Sequence, residues 1–421
     1  MTPNKFIAID LGSTAITAMA AEVDEDNFLK ILGVESKPAN DVRYGVVEQA
    51  TGAAFKINEL LKMLENSTRI PDINFLSVSV GARSMRNIQV NVSRAIGASN
   101  TVNEQLLTDL MADAEKKIKG DSVAIFEVIP LSYNLDGVVM DDPEGKTGKQ
   151  LIGKYNVVYG NKLIAEKLEG CLERTTKIIE YRCLSVDALG TAVLDEHEKE
   201  EGCVLLNLGA TTTSFAIFEH GAIQHLNVIP LGGKTITNDI QEFGLNESNA
   251  EKLKTKVGKA LESLIHEEIY ILVPAHDTNA PDIKVSNKLL SMAIEARLDE
   301  ILNPTFDAIK NYKGTIKHGI VLTGGASKQQ GLSEYLLERT GLNARFGTFT
   351  DWLSENTDPK FNDPRYSQLA GTILLQHEYR EQNPLDVQSK KIKEPKIKSS
   401  NIKESASNLM LKFFSEDKKI I

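Results

Sequence analysis

A short turn near the start of the chain contains the first polar residues whose arrangement is typical of a binding site. Asp10 ends the apolar run 6–9, and Gly12, Ser13 and Thr14 follow before the next apolar run. Gly12 lets the backbone turn where a Cβ would obstruct it. Hydroxyls beside exposed backbone N–H groups can cradle a phosphate, and a carboxylate beside that phosphate can hold a metal-bound water. An ordinary hairpin turn has the same pattern, so this motif alone leaves both interpretations open.

A second copy of the pattern follows about 200 residues later. Residues 203–218 read as a strand, the polar residue Asn207, Gly209, a run of threonines and a return strand. After a polar turn each copy continues into a third strand, over 28–34 and 222–229. Two equivalent three-strand meanders predict two related lobes that face each other. A nucleotide whose phosphates are held from both sides would suit such a pair.

Two later glycine pairs could also border a nucleotide. Residues 230–234 read Pro-Leu-Gly-Gly-Lys and open a predicted helix over 235–243. Glycines at a helix start permit close approach of a phosphate, and the helix N-terminus favours an anion. In 319–332 a buried strand precedes Gly324 and Gly325. Without side chains, this second turn can lie flat against a planar ring.

One carboxylate interrupts an otherwise apolar stretch and needs an explanation. Asp187 lies within 184–189, Leu-Ser-Val-Asp-Ala-Leu. It is either a helix N-cap or a carboxylate that points into the cleft and orients an attacking water. The charged helix predicted over 250–258 has two interpretations as well, because a solvated helix face has the same composition.

Composition limits the class of protein. A chain of 421 residues with 41% hydrophobic and 25% charged residues is typical of a soluble globular protein with several domains. Its three cysteines lack metal-ligand spacing and predict packing residues in a reducing compartment. The net charge of −10 argues against nucleic acid as a partner. No apolar segment is long enough to span a bilayer, so we expect a cytoplasmic protein.

Helices and strands that could position these loops follow from the periodicity. The spacing predicts a helix over 51–65 and a strand over 73–80. Residues 83–161 then interrupt the first lobe with short strands and one helix, for which Thr101-x-x-Glu104 predicts a capping box. Nothing in this insertion has a catalytic pattern, so we interpret it as an interaction module.

The C-terminal tail differs from the body in charge and pattern. Residues 389–421 contain nine lysines and four acidic residues, so the tail is basic and the remainder acidic. Residues 381–407 predict a flexible, disordered linker, and 408–421 predict an amphipathic helix. Its apolar side carries Leu409, Met410, Phe413, Phe414, Ile420 and Ile421, and its basic residues are Lys412, Lys418 and Lys419. Such a helix suits an anionic membrane surface, although a helix that docks back onto its own body has the same pattern.

The ordered motifs D-L-G-S-T, N-L-G-A-T-T-T, P-L-G-G-K, A-E-K-L-K-T-K-V-G and G-I-V-L-T-G-G-A-S resemble those of the actin, Hsp70 and sugar-kinase superfamily. Three further features resemble the FtsA family of bacterial cell-division actins: the insertion, the amino-acid sequence of the loops around 229–240 and 319–332, and the tail. The resemblance implies an α/β fold of the actin-like, ribonuclease H-like duplicated type. Two lobes would enclose a nucleotide cleft, with an inserted α+β subdomain of the family's 1C type.

The resemblance also implies a domain plan. It places lobe 1 at 1–82 (1A, first part), 162–200 (1A, second part) and 366–380 (final helix), with the inserted subdomain at 83–161. It places lobe 2 at 201–233 (2A, first part), 234–302 (2B) and 303–365 (2A, second part), followed by the linker at 381–407 and the membrane-targeting helix at 408–421.

ATP or ADP with Mg²⁺ is the cofactor that the resemblance implies. The nucleotide-binding residues would be Asp10 (near Mg²⁺, through water), Gly12, Ser13, Thr14, Gly209, Ala210, Thr211, Thr212, Gly232, Gly233, Lys234, Glu251, Lys254, Gly324, Gly325 and Ala326. Asn207 departs from the aspartate that often begins the second loop, and Ala210 and Thr211 replace glycines. These changes predict slow hydrolysis at most, and Asp187 falls where actins place the residue that positions water.

Partners are implied in the same way. The C-terminal peptide of FtsZ, the tubulin-like ring GTPase, would bind subdomain 2B, where Arg297 aligns with a basic position; an ion-paired Arg297 is the alternative. Further partners would be a second copy in a filament, the anionic membrane, and other division proteins through the insertion. The resemblance locates the protein on the cytoplasmic face of the inner membrane, at the division site. A metabolic kinase and a pilus-assembly adaptor of the same superfamily are the alternative functions.

Overall fold

The computed structural model describes residues 4–97, 101–274 and 281–383. The strands are β1 (Lys5–Leu11), β2 (Ala15–Val23), β3 (Leu29–Pro38), β4 (Val42–Arg43), β5 (Val46–Val47), β6 (Phe75–Val80), β7 (Arg86–Ala95), β8 (Val123–Leu135), β9 (Val138–Met140), β10 (Gln150–Asn161), β11 (Ile178–Leu184), β12 (Cys203–Leu208), β13 (Thr213–Glu219), β14 (Ala222–Ile229), β15 (Tyr270–Val273), β16 (Ile283–Ser286), β17 (Ile320–Thr323) and β18 (Ala344–Phe346). The helices are α1 (Ala50–Thr68), α2 (Glu104–Glu115), α3 (Lys162–Thr175), α4 (Ser185–Val193), α5 (Glu196–Glu201), α6 (Gly233–Gln241), α7 (Glu247–Lys256), α8 (Asn287–Asn311), α9 (Leu332–Thr340) and α10 (Ser367–Gln382).

Two sheets of the same topology confirm the predicted pair of meanders. The first sheet has the order β11-β6-β1-β2-β3, and the second begins β18-β17-β12-β13-β14. In each, an antiparallel meander (β1–β2–β3 or β12–β13–β14) pairs in parallel with a later strand, β6 or β17. Asp10 pairs with Thr17 and Asn207 with Ser214, so the two polar residues occupy equivalent positions one residue before their strand ends.

Helices cover both sheets because the strands are buried on both faces. All four residues of β17, five of the six in β12 and five of the seven in β1 are buried, and such strands need an apolar layer on each side. In the first lobe α1, α3, α4 and α10 supply apolar side chains, and in the second α6, α7, α8 and α9 do so. The predicted helix over 51–65 and the strand over 73–80 are confirmed as α1 and β6.

The segment 83–161 forms β7, α2, β8, β9 and β10 around an apolar cluster of its own. The predicted capping box is wrong, since Asn103 is the N-cap of α2 and its side chain accepts from the Leu106 N–H. The order β7-β10-β8-β9 continues the second sheet beyond β14. Its assignment as a 1C-type subdomain, like the other predicted domain boundaries, stays a prediction.

A polar contact joins this insertion to the second lobe. The side chain of Asn87 on β7 accepts from Leu226 N–H (2.8 Å) and donates to Gln224 O (3.0 Å) of β14. Asn156 on β10 is buried and donates to Ile223 O at 2.7 Å. The insertion is therefore hydrogen-bonded to the second lobe.

The last described helix, α10, ends at Gln382 and so includes the first two residues of the linker that was predicted to start at 381. The rest of that linker and the amphipathic helix predicted over 408–421 lie outside the described residues. Within the described ranges, no helix combines the length and apolar character needed to cross a bilayer.

Candidate functional site

A cleft of about 1040 Å³ lies between the two lobes. Fifteen of the sixteen predicted nucleotide-binding residues line it: Asp10, Gly12, Ser13, Thr14, Gly209, Ala210, Thr211, Thr212, Gly233, Lys234, Glu251, Lys254, Gly324, Gly325 and Ala326. Gly232 lies behind the second phosphate loop, where a Cβ would be 2.6 Å from Gly209 O. Segments far apart in sequence thus meet at one cavity.

The two phosphate loops have the same local geometry. A Cβ on Gly12 would lie 2.8 Å from Ala15 O, and one on Gly209 would lie 2.8 Å from Thr212 O. Both turns are therefore closed to any side chain. The loop 39–47 covers the first turn, since Gly45 N–H donates to Ser13 Oγ at 3.2 Å. The side-chain oxygen Oγ1 of Thr211 in the second turn is buried and has no hydrogen-bond partner among the described residues.

Asp10 is held by a residue from the far end of the chain. Gln368, in the first turn of α10, donates from Nε2 to Asp10 Oδ1 (2.9 Å) and to Ser79 Oγ (2.9 Å). Burial raises the pKa of Asp10 to about 6, and the Gln368 hydrogen bond partly opposes that rise. An uncompensated carboxylate at this depth calls for a cation. Gln368 and Ser79 also line the cleft, and no local sequence signal identified them.

Asn207 and Gly324 meet at the opposite wall. Gly324 has φ 88°, and a Cβ there would lie 2.4 Å from Asn207 Oδ1 and 2.4 Å from Leu208 O. Any side chain at position 324 would therefore clash with β12, whereas a Cβ at Gly325 would meet nothing within 4 Å. That open space faces the cleft, as expected for a surface that receives a planar ring.

The residues present fit a Mg²⁺ ion that is held mainly through phosphate and water. The described residues contain no cluster of three or more His, Cys, Asp or Glu side chains that could hold a metal by themselves. Mg²⁺ keeps several waters and needs only one or two protein carboxylates when phosphates supply the other ligands. Asp10 supplies one such carboxylate, and Asn207 supplies a neutral amide.

Paired contacts fix the start of α6 against the second loop. Gly233 N–H donates to Gly209 O (2.9 Å) and Lys234 N–H to Ala210 O (2.8 Å). The Lys234 ammonium forms an ion pair with Glu247 at 2.9 Å, with both side chains about half exposed. Lys234 can therefore turn toward a phosphate at little cost, because exposed ion pairs contribute about 0–1 kcal/mol.

Lys254 cross-links α7 to α6 more firmly. Its buried Nζ donates to Gly233 O (3.0 Å), Thr237 Oγ1 (2.8 Å) and Glu251 Oε2 (2.7 Å). An ammonium group has three donors, so these acceptors use all of them. Lys254 thus holds the wall of the cleft in place, while half of the Glu251 side chain stays exposed.

The N-cap interpretation of Asp187 is wrong, because Leu184 precedes α4 and Asp187 lies in the first helical turn. Asp187 is also not among the residues that line the cleft, whereas Ser185 is. Its carboxyl group contacts Glu127 of β8. Burial raises the pKa of Asp187 to about 6 and that of Glu127 well above its usual range. Two carboxyl groups in contact share a proton more readily than they carry two charges, so this position does not support water activation.

Arg297 has the ion-paired environment that was the alternative interpretation. Its guanidinium contacts Asp239 of α6 through Nε and Nη2 (2.8 Å for Nη2), and it pairs with Glu300 through Nη1. These contacts raise its pKa, the Asp239 hydrogen bond most of all.

The chain is similar in sequence to known cell division proteins. A family model described as "Cell division protein FtsA" matches residues 204–371. Cell division protein FtsA of Borreliella burgdorferi is 28% identical over 415 residues, covering 96% of this chain and 98% of that relative. The FtsA proteins of Bacillus subtilis and Escherichia coli are 26% and 25% identical, each over 87% of this chain and over 82% and 89% of their own lengths.

Solved structures give the fold. The type IV pilus biogenesis complex PilM-PilN superposes with a TM-score of 0.62 at 17% identity, covering 88% of this chain and 98% of that one. MreB5 of Spiroplasma citri bound to ADP gives 0.56 at 12% identity, over 91% and 99%. The MamK double helical filament gives 0.51 at 12% identity, over 88% and 98%. The predicted actin-like α/β fold is confirmed.

Proposed function

We propose that this chain is an FtsA-type cell division protein that binds ATP or ADP between its lobes and attaches division filaments to the membrane. It would act at the cytoplasmic face of the inner membrane, through its C-terminal tail. The observation that carries the nucleotide part is the convergence of two matching phosphate loops and the Gly324–Gly325 turn on one cleft.

Each group at the cleft has a role in this proposal. Gly12–Thr14 and Gly209–Thr212 offer backbone N–H groups and hydroxyls to the phosphates, and Gly324–Ala326 receives the adenine. When bound, Mg²⁺ would neutralise phosphate charge, and Asp10 is the carboxylate that would hold its water shell. Since Asn207 carries no charge and Asp187 does not line the cleft, the protein has few groups to orient a water. We therefore propose hydrolysis that is slow at most.

Membrane attachment is assigned to the sequence pattern of 408–421. Each large apolar side chain contributes at most about 1.5–3 kcal/mol on burial, and each lysine near anionic lipid about 1 kcal/mol. Ordering the helix costs about 1 kcal/mol or more per residue. A single copy thus binds the membrane weakly. A filament of copies stays attached, because the bound copies hold the remaining helices at a high effective concentration near the membrane. This arithmetic supports self-association on the membrane.

The proposed site for the FtsZ C-terminal peptide lies within 234–302. An exposed apolar surface there supports it, formed by β15 with the preceding Ile269 and by the outer face of α8: Ile269 (51% exposed), Tyr270 (55%), Leu272 (65%), Leu289 (53%) and Met292 (48%). Lys284 lies over the Tyr270 ring at 4.2 Å and adds positive charge beside it. Arg297 is held by Asp239 and Glu300, so we assign it a supporting role in keeping α8 against α6.

The relatives' names favour this function over the two alternatives. A pilus-assembly adaptor is supported only by the PilM fold at 17% identity, whereas FtsA proteins match at 25–28% over most of the chain. A metabolic kinase would need a base that faces a small substrate, and the carboxylates lining the cleft are Asp10, Glu247 and Glu251. Glu251 accepts hydrogen bonds from Thr237 and Lys254, and Glu247 forms an ion pair with Lys234. These contacts disfavour either glutamate as the base of a kinase.

Sedimentation with liposomes tests the membrane part. Phe413→Glu places a charge on the predicted apolar side, and Ser415→Glu places the same charge on the opposite side of the predicted helix. We expect Phe413→Glu to abolish pelleting with anionic vesicles and Ser415→Glu to preserve most of it, with equal ATP binding by both. Equal pelleting by both variants would contradict the anchor.

Co-sedimentation with FtsZ filaments tests the partner. We expect this chain to pellet with FtsZ and to lose that association when the C-terminal peptide of FtsZ is removed. Pelleting that survives removal of the peptide would argue against the proposed site, and no pelleting at all would favour the pilus-assembly alternative.

A further inference from the structure

Helix α10 carries a row of polar side chains at intervals of four residues. The row consists of Gln368, Thr372, Gln376 and Arg380. Residues four apart lie on the same side of a helix, and this side is turned inward, since Thr372 and Gln376 are buried. Polar groups that are buried in this way need hydrogen-bond partners. Near each end of the row, a carboxylate from the first sheet supplies one.

Glu180 of β11 is the partner near the C-terminal end of α10. This buried carboxylate accepts from Gln376 Nε2 (2.8 Å), Arg380 Nε (2.7 Å) and Arg380 Nη2 (2.6 Å). The Arg380 guanidinium also lies 4.2 Å from the centre of the Phe6 ring on β1. A two-point contact between a guanidinium and a carboxylate fixes orientation as well as distance. The C-terminal half of α10 is therefore fixed in rotation against the first sheet.

A close backbone contact fixes the middle of the same helix. A Cβ on Gly371 would lie 1.6 Å from Ala188 O of α4, so the two helices touch there without a side chain between them. Helix α10 thus packs against the sheet on one side and against α4 on another. Side chains on such an element hold their positions more precisely than side chains on loops. Gln368, in the first turn of α10, is therefore held at a fixed place beside β1.

At this end of the row, Gln368 determines how Asp10 is oriented. Its Nε2 donates to Asp10 Oδ1 and to Ser79 Oγ, both at 2.9 Å, and these bonds use both hydrogens of the amide. The other carboxylate oxygen of Asp10, Oδ2, lies on the side of the first phosphate loop, where a Cβ on Gly12 would be 3.4 Å from it. One oxygen of Asp10 is thus engaged by the helix, and the other is turned toward the loop.

We propose that Gln368 is a positioning residue for Mg²⁺ at the nucleotide cleft, because it holds Asp10 with Oδ2 turned toward the first phosphate loop. The inference rests on the proposed nucleotide-binding function. Hydrogen bonds that orient the protein groups around a metal typically contribute about 10–100-fold in metal affinity. Without Gln368 the Asp10 side chain can rotate, and ordering it again would consume part of the binding free energy.

Gln368→Met tests the proposal, with Gln376→Met as the matched control. Each variant removes a glutamine of α10 that donates to a carboxylate, but only Gln368 contacts Asp10 and lines the cleft. Calorimetric titration of the full chain with ADP, in Mg²⁺ and in EDTA, gives the factor by which Mg²⁺ tightens ADP binding. We expect this factor to fall about tenfold in Gln368→Met. It should change less than about twofold in Gln376→Met, whose side chain is remote from the cleft.

A double variant tests whether Gln368 acts through Asp10. Asp10→Asn alone should lower the Mg²⁺ factor, and adding Gln368→Met should then change it by less than about twofold. Gln368→Asn withdraws the amide by one methylene and should lower the factor as Gln368→Met does. It provides the same test if the methionine variant does not fold.

These titrations separate failure of the inference from failure of the proposed function. An unchanged Mg²⁺ factor in the folded Gln368 variants, or an equal fall in Gln376→Met, would overturn the inference. A further fall in the double variant would also overturn it, because Gln368 would then act independently of Asp10. Wild-type ADP binding remains intact in each of these cases. A wild type that binds no ADP would overturn the proposed function itself.

Discussion

Asp10→Asn should stabilise the protein without nucleotide, although Asp10 lies at the centre of the proposed site. The unfolded carboxyl ionises near pH 3.8, whereas burial raises the pKa of the folded one to about 6. Between these values the folded state binds more protons than the unfolded state. Its stability therefore falls as pH rises through this window and stays lower above it.

The expected size follows from the same shift. A difference of about two pKa units corresponds to about 3 kcal/mol, which is the cost of ionising Asp10 in the folded protein at pH 7.5. Asparagine avoids this cost and still offers an oxygen to Gln368 Nε2, which donates to Asp10 Oδ1 at 2.9 Å. The free energy of unfolding should thus rise by up to about 3 kcal/mol at pH 7.5 and by little at pH 4. Affinity for Mg²⁺-ATP should fall, because the carboxylate beside the proposed ion is gone.

Urea unfolding of the protein without nucleotide, from pH 4 to pH 8, measures this effect. Asp26→Asn is the control, since Asp26 is exposed and its substitution should change stability by less than about 0.5 kcal/mol at every pH. A loss of stability in Asp10→Asn at pH 7.5, or an equal gain in stability at pH 4 and pH 8, would show that ionised Asp10 does not destabilise the folded protein.

Two further substitutions test the walls of the site and the docking of the insertion. Gly324→Ala should cost about 2–4 kcal/mol and abolish nucleotide binding, because its Cβ would lie 2.4 Å from two oxygens of β12 at φ 88°. Gly325→Ala should keep wild-type stability, and unfolding and nucleotide titration of both variants provide the check; equal losses would argue against the steric explanation. Asn156→Ala should cost about 1–3 kcal/mol, since it removes a buried donor and leaves its partner Asn87 less satisfied. Hydrogen exchange should rise at 222–229 in Asn156→Ala but not in Gln89→Ala, whose contacts to the same strand are exposed; equal exchange in both would contradict this role.

Sequence predicted the parts of the site that depend on local pattern. An apolar run, a polar residue and a turn of small residues identify β1–β2 and β12–β13, because strand periodicity and turn preferences act over a few residues. The repetition of this unit predicted two lobes, and the resemblance of the ordered motifs to the actin superfamily implied the actin-like fold, which is confirmed. Gly324 was predicted as part of a glycine turn that can lie flat against a planar ring. Its positive φ, which gives a second reason for glycine, is visible only in the structure.

Contacts between distant residues could not be predicted from one sequence. Gln368 is 358 residues from Asp10, and nothing near either residue encodes their hydrogen bond. Asp187 was interpreted from its own apolar segment, but its partner Glu127 belongs to a strand of the insertion. The sequence shows each of these polar residues, but only the fold determines which other residue becomes its hydrogen-bond partner.

A limit of a different kind applies to local caps. Both Thr101 and Asn103 are good N-cap residues, and the spacing to Glu104 favoured the threonine. The structure uses Asn103, whose side chain accepts from Leu106 N–H at 2.9 Å. Competing caps two residues apart differ by too little free energy for sequence to choose between them.

A crystal structure of the protein grown with Mg²⁺ and ATP would show whether one nucleotide is held between the two lobes. We predict phosphates in contact with both Gly12–Thr14 and Gly209–Thr212, and adenine against Gly324–Ala326. An empty cleft, or a nucleotide that contacts only one lobe, would rule out the proposed nucleotide site.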